Sequence, residues 1–596
     1  MRGRAVATEK AKDFKGTLKK LIKSLGNYKI PMIIIFVFAI LSTVFSIIGP
    51  KILGNAITEI FNGLIAKITG TGGIDFGKIA GILITLLVLY LLSLLFSFIQ
   101  GIIMTNISQR YAYKLRKQVS IKMHKVPISY YDKKTHGEVL SLLTNDIDLL
   151  GQNLNQSATQ FITSIVTLLG ILVMMLSINV TITILVVIVL PIAAFITSKI
   201  VKRSQKYFIR QQNYLAKVNG DVEEAYGGHQ VIKAFNAEDK MLNMFQEDSK
   251  KLADSAWKSQ FLSGLMHPLM VFLGNINYVV VAIVGGYFAI NGVITVGNIQ
   301  SFISYSKNFT NPISQLAQIS TMLQQAMAAA ERVFEFLDEE EETDAKESLI
   351  TYDKVKGAVS FEHVSFGYDK DKIIIHDFNC QVKPGQKIAI VGPTGAGKTT
   401  IAKLLMRFYH LNSGKIKVNT IDFKKEDINK IFGMVLQDAW LYSGKIIDNI
   451  RYGKLDATDE EVKEACRLAR VDHFITTLPD GYNMEINEES SNISLGQKQL
   501  LTIARVILAN PKILILDEAT SSVDTRTEVL IQEAMDHLMQ GRTSFIIAHR
   551  LSTIKNADLI LVLNDGDVVE QGTHEELLKK DGFYAKLYNS QFESVN

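Results

Sequence analysis

The fold of the C-terminal half of the chain is predicted by the segment Ile388-Ala389-Ile390-Val391-Gly392-Pro393-Thr394-Gly395-Ala396-Gly397-Lys398-Thr399. Four apolar residues typical of a buried strand precede a glycine-rich loop, and an apolar helical run follows at residues 401–408. This order of strand, loop and helix is the setting of a P-loop, in which backbone N–H groups and a helix N-terminus surround a phosphate. Lys398 would add a positive charge for the phosphates, and the Thr399 hydroxyl suits Mg²⁺. A tight glycine-rich turn without a ligand is the alternative.

Two further apolar runs end in residues that suit phosphate chemistry. Residues 513–516 lead into Asp517 and Glu518, and residues 544–548 lead to His549. We expect Asp517 to support a metal ion through water, and Glu518 to act as general base towards the attacking water. We expect His549 to contact the γ-phosphate. Each pattern is weak alone, because many strands end in an acid and most histidines are structural, but the P-loop strengthens both.

The composition indicates more than one domain. The chain has 596 residues, 47% of them hydrophobic and 21% charged, and one core rarely organises so many residues. Long uncharged tracts fill the first half, whereas after about residue 349 short β-branched runs alternate with helical patterns, as in an α/β domain. The net charge of +5 is too small to indicate binding of nucleic acid. The two cysteines, Cys380 and Cys466, are expected to be ordinary buried residues.

Four uncharged or nearly uncharged tracts are long enough for membrane helices, which need about 20 mostly apolar residues. They lie at residues 30–56, 79–105, 149–198 and 259–306. The third divides near residues 177–181 and the fourth at Asn291-Gly292, which gives six spans. The sixth is expected to continue through Pro312 as a more polar helix. A large soluble protein with buried helices is the alternative, but four such tracts rarely fit one soluble core.

The distribution of lysine and arginine predicts the orientation of these spans. Basic residues crowd the N-terminus, the segment after span two (residues 110–125) and the segment after span four (residues 199–210). The positive-inside rule therefore places both termini and two long loops in the cytosol, and the chain in the cell (cytoplasmic) membrane. The loops are expected to be helical extensions of the spans. Residues 10–23 predict a helix on the membrane surface or a solvated lead-in helix.

The segment Ile493-Ser494-Leu495-Gly496-Gln497-Lys498-Gln499-Leu500 resembles the Leu-Ser-Gly-Gly-Gln signature of ABC-transporter ATPases. It also stands at the expected place, just before the strand that ends in Asp517. The resemblance covers the whole chain: six spans and then one nucleotide-binding domain, as in type IV (multidrug-exporter-like) half-transporters. It implies an α-helical six-span transmembrane domain with long cytosolic extensions, followed by an α/β P-loop ABC ATPase domain.

The resemblance divides the chain into four parts: a cytosolic N-terminal segment (1–28), a transmembrane domain (29–335), a linker (336–350) with an acidic, solvated run at 338–342, and the ATPase domain (351–596). It implies that the chain binds ATP and Mg²⁺. Tyr368 resembles the aromatic residue that stacks on adenine. Gln437 resembles the Q-loop glutamine, which touches Mg²⁺ and the attacking water, and Glu488 stands at the X-loop position. The implied nucleotide-binding residues are Tyr368, Gly392, Pro393, Thr394, Gly395, Ala396, Gly397, Lys398, Thr399, Thr400, Asp517, Ser494, Gly496 and Gln497, with Thr399 and Gln437 as metal ligands.

The resemblance also implies a partner. In this family two ATPase domains close head to tail, so that each ATP lies between the P-loop of one chain and the signature of the other. Residues 126–132 and 223–228 resemble the coupling helices that dock on the ATPase domains. A solvated helical bend without a docking role is the alternative. Residues 521–524 resemble the D-loop at the dimer interface.

Leu495 departs from the family pattern because it replaces the first signature glycine, and a leucine adds bulk where phosphate approaches the backbone. The P-loop and the residues at 517, 518 and 549 are intact. This combination resembles one subunit of heterodimeric exporters with one competent and one degenerate ATP site. A homodimer that tolerates Leu495 is the alternative.

Two other classes of protein share parts of this pattern. A soluble ABC-type ATPase that acts on DNA or ribosomes would lack the spans, and an ABC-type channel or regulator need not keep Glu518. We therefore expect ATP-driven export of a hydrophobic or amphipathic substrate (a drug-like compound, a lipid or a peptide), with membrane lipid around the spans and no nucleic acid as partner.

Overall fold

The structure is a computed structural model and describes residues 11–342, 352, 355–369, 372–419, 421–423, 428, 431–436, 439–487, 492–517, 523–547 and 554–590. The chain forms two compact units. Unit 1 contains the residues up to His124 and His136–Glu339. Unit 2 contains Lys125–Thr135 and the residues from Glu340 onwards.

The described residues of unit 1 form helices joined by short turns. Its helices are α1 (Phe14–Ser24), α2 (Lys29–Ile68), α3 (Phe76–Met123), α5 (His136–Ser141), α6 (Ile147–Ile178), α7 (Val180–Gly227), α8 (His229–Ala234), α9 (Glu238–Gly264), α10 (Met266–Ile290) and α11 (Val296–Asp338). A 3₁₀ turn (Gly26–Tyr28) precedes α2, and a π-helical turn (Leu142–Asp146) joins α5 to α6. The α4 helix (Ile128–Lys133) lies in unit 2.

The long helices of unit 1 coincide with the predicted spans. Among the described residues, four helical stretches are long and apolar enough to cross a membrane: Gly26–Ile68, Phe76–Met123, His136–Ile178 and Glu238–Ile290. Predicted spans four and six lie in α7 and α11; α7 contributes a shorter apolar stretch, Val180–Val189. The continuation of span six through Pro312 is confirmed, because α11 runs unbroken to Asp338.

The polar extensions of the spans are helical, as predicted. α3 continues to Met123, α7 to Gly227, and α9 begins at Glu238, so polar residues extend the apolar spans without a break. The N-terminal α1 packs one face within unit 1, where Leu21 is buried and the backbone N–H groups of Lys12 and Asp13 donate to Glu331. This helix is therefore tied to the end of α11 and is more than a solvated lead-in.

Close backbone contact joins α2 to α11. A Cβ atom at Gly297 would lie 1.7 Å from the carbonyl oxygen of Gly54. Ser301 Oγ donates to Pro50 O (2.9 Å) and Tyr305 OH donates to Ile47 O (2.9 Å). Small residues and hydroxyl groups are the usual means of joining helices in a membrane, where the hydrophobic effect contributes little.

Unit 2 is an α/β structure with a six-stranded sheet of order β12-β11-β3-β10-β9-β6. Its strands are β3 (Lys387–Val391), β6 (Phe432–Val435), β9 (Ile513–Asp517), β10 (Thr543–Ile547), β11 (Leu559–Asn564) and β12 (Asp567–Gly572). Only β12 is antiparallel to its neighbour; the other pairs in this sheet are parallel.

A four-stranded antiparallel sheet of order β2-β1-β4-β5 accompanies it, built from β1 (Val359–Phe366), β2 (Ile375–Val382), β4 (Ser413–Val418) and β5 (Ile421–Asp422). A small ladder joins β7 (Gly444–Lys445) to β8 (Glu485–Ile486). The helices of unit 2 after α4 are α12 (Lys398–Leu405), α13 (Ile446–Arg451), α14 (Asp459–Leu468), α15 (Asp472–Thr477), α16 (Leu495–Ala509), α17 (Thr525–Met539), α18 (His574–Lys579) and α19 (Phe583–Tyr588).

Both cysteines are buried and unpaired, as predicted. Burial raises the pKa of the Cys380 thiol to about 11 and that of the Cys466 thiol to about 12. Both therefore act as small core residues. The acidic run that begins at the last residue of α11 carries exposed ion pairs, Asp338 with Lys20 (2.5 Å) and Glu341 with Lys125 (3.3 Å).

Candidate functional site

The glycine-rich loop connects β3 to α12, as its sequence predicts. Gly395 and Gly397 have positive φ values of 87° and 98°, a conformation that glycine adopts with little steric cost. A Cβ atom at Gly392 would lie 2.3 Å from the carbonyl oxygen of Leu563. The loop therefore requires glycine for its backbone conformation and for its close approach to β11.

Lys398 lies at the first position of α12, and its side chain folds over the loop. Its Nζ donates to the carbonyl oxygens of Gly392 (2.7 Å) and Pro393 (3.0 Å). Burial lowers the pKa of Lys398, and the Asp517 carboxylate opposes that shift. The ammonium group thus stands inside the loop within electrostatic reach of Asp517, where it can neutralise a phosphate.

The parallel sheet brings the ends of three strands to one edge. In the pairing of β10, Ile547 stands opposite Asp517 of β9 and opposite Ile390 of β3. Asp517 is buried and ends β9, while the glycine loop starts two residues after Ile390. Ligands of open α/β sheets bind beyond the carboxyl ends of the strands, so this edge brings the loop and the acid together.

Several predicted site residues lie outside the described residues. They follow directly on described strands: Glu518 after β9, His549 two residues after β10, and Gln437 two residues after β6. Glu488, Ser521 and Ser522 are also outside the described part of the chain.

Tyr368 lies beside the loop in an aromatic cluster. Its ring meets Phe366 and Tyr409 edge to face, with centroids 5.1 Å apart in each pair. Its hydroxyl lies 3.3 Å from the hydroxyl of Thr400, which is buried, and 38% of Tyr368 is exposed. Thr399, in contrast, is exposed at the start of α12. Tyr368 is therefore partly exposed, with Lys403 Nζ 5.8 Å from its ring centroid, while the Thr400 hydroxyl turns towards Tyr368.

The signature segment forms the start of α16. Ser494 is its N-cap, with the hydroxyl accepting from the Gln497 N–H (3.4 Å), and Gln497 Oε1 accepts in turn from the Ser494 N–H (3.0 Å). A Cβ atom at Gly496 would lie 2.4 Å from a methyl group of Thr527, which explains a glycine there. The Leu495 residue is 44% exposed and stands at the helix N-terminus.

The first coupling segment forms a short helix, α4, after Pro127. Ile128 packs against the core of unit 2, and the hydroxyl of Tyr409 donates to the carboxylate of Asp132. Burial and the nearby carboxylate raise the pKa of Tyr409, which keeps its hydroxyl protonated. Sequence reasoning missed Tyr409, because no local pattern shows that it faces a residue 277 positions away.

Unit 1 contains a cavity of about 280 Å³ between α2, α6 and α11. Its lining is largely polar, although the spans are apolar. The lining residues are Thr43, Ser46, Ile47, Pro50, Thr163, Thr167, Ile171, Tyr305, Asn308, Asn311, Pro312 and Gln315. Sequence reasoning missed this site, because hydropathy averages over a helix and hides a polar stripe on one face.

The residues at the sheet edge of unit 2 fit ATP and Mg²⁺. The loop offers a cradle that a Cβ at Gly392 would obstruct, with a lysine directed into it. Among the described residues, no three acidic, histidine or cysteine side chains converge on one point. Mg²⁺ keeps several waters and uses one or two protein ligands together with phosphate oxygens, and the Asp517 carboxylate lies at this edge of the sheet.

A phosphate-binding loop, an acid at the same sheet edge and a bundle of apolar helices in one chain define an ATP-driven membrane transporter. Two family models match: "ABC transporter transmembrane region" at residues 32–313 and "ABC transporter" at residues 375–521. The chain belongs to the ABC transporter family.

The chain is similar to several bacterial proteins over nearly its full length. It is 42% identical to the "Uncharacterized ABC transporter ATP-binding protein YfiC" of Bacillus subtilis, covering 98% of this chain and 96% of that protein. It is 41% identical to the "Fatty acid ABC transporter ATP-binding/permease protein" of Mycobacterium bovis, covering 97% of each.

One solved structure, "Structure of a bacterial Atm1-family ABC exporter with ATP bound", matches with a TM-score of 0.72 and 27% identity, over 95% of this chain and 98% of that one. These comparisons confirm the predicted fold class, an ABC exporter of the type IV kind that couples ATP hydrolysis to transport across a membrane.

Proposed function

We propose that this chain is one half of a heterodimeric exporter that moves a lipid-like amphiphile across the cytoplasmic membrane by alternating access. The observation that carries the ATPase part is the strand register, in which Asp517 and the residues leading into the P-loop reach the same edge of one parallel sheet. The apolar helices of unit 1 supply the membrane part. Both termini and unit 2 are cytosolic, which the distribution of basic residues supports.

The P-loop residues bind the phosphates of ATP. The backbone N–H groups of residues 394–399 and the N-terminus of α12 surround the anion, and Lys398 adds a full charge. Thr399 and Gln437 would hold Mg²⁺, with Asp517 supporting it; when bound, the ion would neutralise charge on the phosphate oxygens. Tyr368 stacks on the adenine.

Hydrolysis needs a proton acceptor next to the attacking water. Glu518 takes that role, because it directly follows Asp517 at the sheet edge, and His549 contacts the γ-phosphate from the end of the neighbouring strand. ATP binding closes two ATPase domains, and hydrolysis reopens them, so that ATP biases a two-state element. The helix α4, joined to unit 2 through Tyr409, transmits the motion.

A second chain is needed to complete the site. Ser494, Gly496 and Gln497 at the start of α16 face the γ-phosphate held by the partner, since a helix N-terminus favours an anion. Exposed apolar side chains in the second cytosolic loop also support a partner: Tyr226, Val231 and Phe235 are 82%, 61% and 78% exposed.

The exposed Leu495 supports a partner that is a different chain. Its bulk stands where the partner's phosphate would approach, so the site that uses this signature is impaired. The site built on this chain's own P-loop stays competent if the partner supplies an unaltered signature. A homodimeric multidrug or lipid exporter with two equivalent sites is the second candidate.

The substrate class follows from the relatives and the helices. One relative is named a fatty acid transporter, and unit 1 combines apolar helices with a polar cavity. Such a surface suits an amphiphile with one polar end, which a lipid provides more directly than a hydrophobic drug or peptide.

A variant of Glu518 tests the ATPase assignment. Glu518→Gln removes the general base but keeps size and polarity, so ATP binding should persist while turnover falls by about 10²-fold or more. Binding and hydrolysis are measured on the full chain in proteoliposomes. Glu533→Gln is the matched control and should retain activity, because Glu533 lies on the surface of α17 in an ion pair with Arg470. Near-normal hydrolysis by Glu518→Gln would refute the assignment.

A further inference from the structure

A polar stripe crosses the middle of α11. Lys307 lies eleven residues after Val296, the start of the helix, which corresponds to a rise of about 16 Å, roughly half the hydrocarbon thickness of a bilayer. Lys307, Asn308 and Asn311 are all exposed in unit 1. A charge and two amides facing lipid at this depth are costly. This face of α11 therefore borders water or protein, as the wall of a transport path would.

Lys307 carries a charge that no carboxylate neutralises within the described part of the chain. None of the ion pairs among those residues includes Lys307. Its Nζ lies 5.9 Å from the ring centroid of Tyr278 on α10, a contact that attracts a cation and leaves its hydrogen-bond donors available. An ionisable side chain at mid-membrane depth marks a functional site by default.

Two residues of this stripe, Asn308 and Asn311, line the polar cavity, and Lys307 neighbours them on α11. Asn311 lies one turn from Lys307 on α11, and the amides of Asn308 and Asn311 line the cavity together with hydroxyls of α6. Tyr305 is already engaged, because its hydroxyl donates to Ile47 O (2.9 Å). The amides of Asn308 and Asn311 make no hydrogen bond with other described residues. The cavity lining contains hydrogen-bond donors and no acidic side chain.

We propose that Lys307, Asn308, Asn311 and this cavity form the subsite for the carboxylate head group of a long-chain amphiphile. Lys307 matches the single negative charge, and the two amides donate to the carboxylate oxygens. A phosphate monoester carries about −1.5 to −2 charge, which one lysine matches less well. The proposal rests on the proposed function in taking this face of α11 as part of the transport path.

Equilibrium binding of laurate to the full chain in nanodiscs tests this subsite. Dodecyl phosphate and the uncharged dodecanol are the comparison ligands. Lys307→Gln should weaken laurate binding by roughly tenfold or more, because it removes the only charge at the subsite. Lys307→Arg should restore laurate binding, and dodecanol should bind equally to all variants. Asn311→Leu should weaken laurate binding without changing the charge.

The control is Lys67→Gln, which removes an exposed lysine at the far end of α2 and should leave binding unchanged. The subsite is overturned if wild-type protein binds no laurate saturably, if dodecyl phosphate binds more tightly, or if Lys307→Gln weakens laurate and dodecanol equally. ATP hydrolysis is measured on the same samples. If the wild-type protein binds laurate but hydrolyses no ATP, the proposed function is contradicted and the subsite stands. If it hydrolyses ATP but binds no laurate, only the subsite is contradicted.

Discussion

Gly392 shows how one residue fixes the nucleotide site. Gly392→Ala would place a Cβ atom 2.3 Å from Leu563 O, and a backbone oxygen cannot move aside as a flexible side chain can. We expect the loop to shift, with loss of stability of about 1–3 kcal/mol and weaker ATP binding. Thermal unfolding and nucleotide binding by the purified chain measure both effects.

The control for this substitution is Gly385→Ala. Gly385 also has positive φ (76°), but no atom lies within 4 Å of its Cβ position. It therefore reports the conformational cost alone, about 1 kcal/mol. Equal ATP binding by the two variants would mean that the contact with β11 does not shape the site.

Individual site residues could be predicted where the chemistry depends on residues that are close in sequence. The glycine spacing at 392–397 predicts the loop, and the loop is found between β3 and α12. Lys307 is not predicted as a site residue, because the uncharged tract ends at Ser306 and the predicted apolar span stops there. Lys307 could have been identified as a single lysine inside a membrane helix that is predicted to continue through Pro312.

At the scale of elements, the short helix α4 offers a test of coupling. Tyr409→Phe keeps the buried ring but removes the hydrogen bond to Asp132. Such a bond to a charged group is worth about 1.5–3 kcal/mol when buried, and less here because Asp132 is exposed. We expect ATP hydrolysis within about twofold of wild type and clearly reduced transport, both measured in proteoliposomes.

Tyr584→Phe is the matched control for Tyr409→Phe. Tyr584 is also buried in unit 2, and its hydroxyl bonds to His574 Nδ1 (2.7 Å). Tyr584 lies on α19, so Tyr584→Phe should leave the ratio of transport to hydrolysis unchanged. If both variants lower that ratio equally, the bond from Tyr409 only supports folding and does not serve coupling.

Elements were predictable where their signal is local. Uncharged length predicts the membrane helices, and β-branched runs predict β3, β9 and β10, because each depends on neighbours in sequence. The order of strands in the sheet was not predictable, since it depends on contacts between distant segments. The resemblance of residues 126–132 to a docking coupling helix agrees with the place of α4 in the compact unit of the ATPase domain, but the sequence did not show that Tyr409 would be its hydrogen-bond partner.

At the scale of the whole molecule, Leu495 decides between two assemblies. A dimer of this chain alone would contain Leu495 in both ATP sites, so we expect its turnover to be roughly tenfold below that of the pair formed with the native partner. Leu495→Gly should raise the ATP turnover of the dimer formed by two copies of this chain, because it lets phosphate approach the backbone closely again. The same substitution should change the heterodimer little, because there Leu495 serves the degenerate site.

The measurement compares ATP turnover by the chain purified alone and by the chain co-purified with its partner, each with and without Leu495→Gly. Leu455→Gly is the control, because Leu455 is 78% exposed and lies between α13 and α14, away from the signature. Two equally fast sites in the chain purified alone, unaffected by Leu495→Gly, would favour the homodimer. If the chain alone turns over ATP slowly, and if Leu495→Gly raises the turnover of the chain alone but not that of the chain with its partner, then the two ATP sites of the native transporter are unequal.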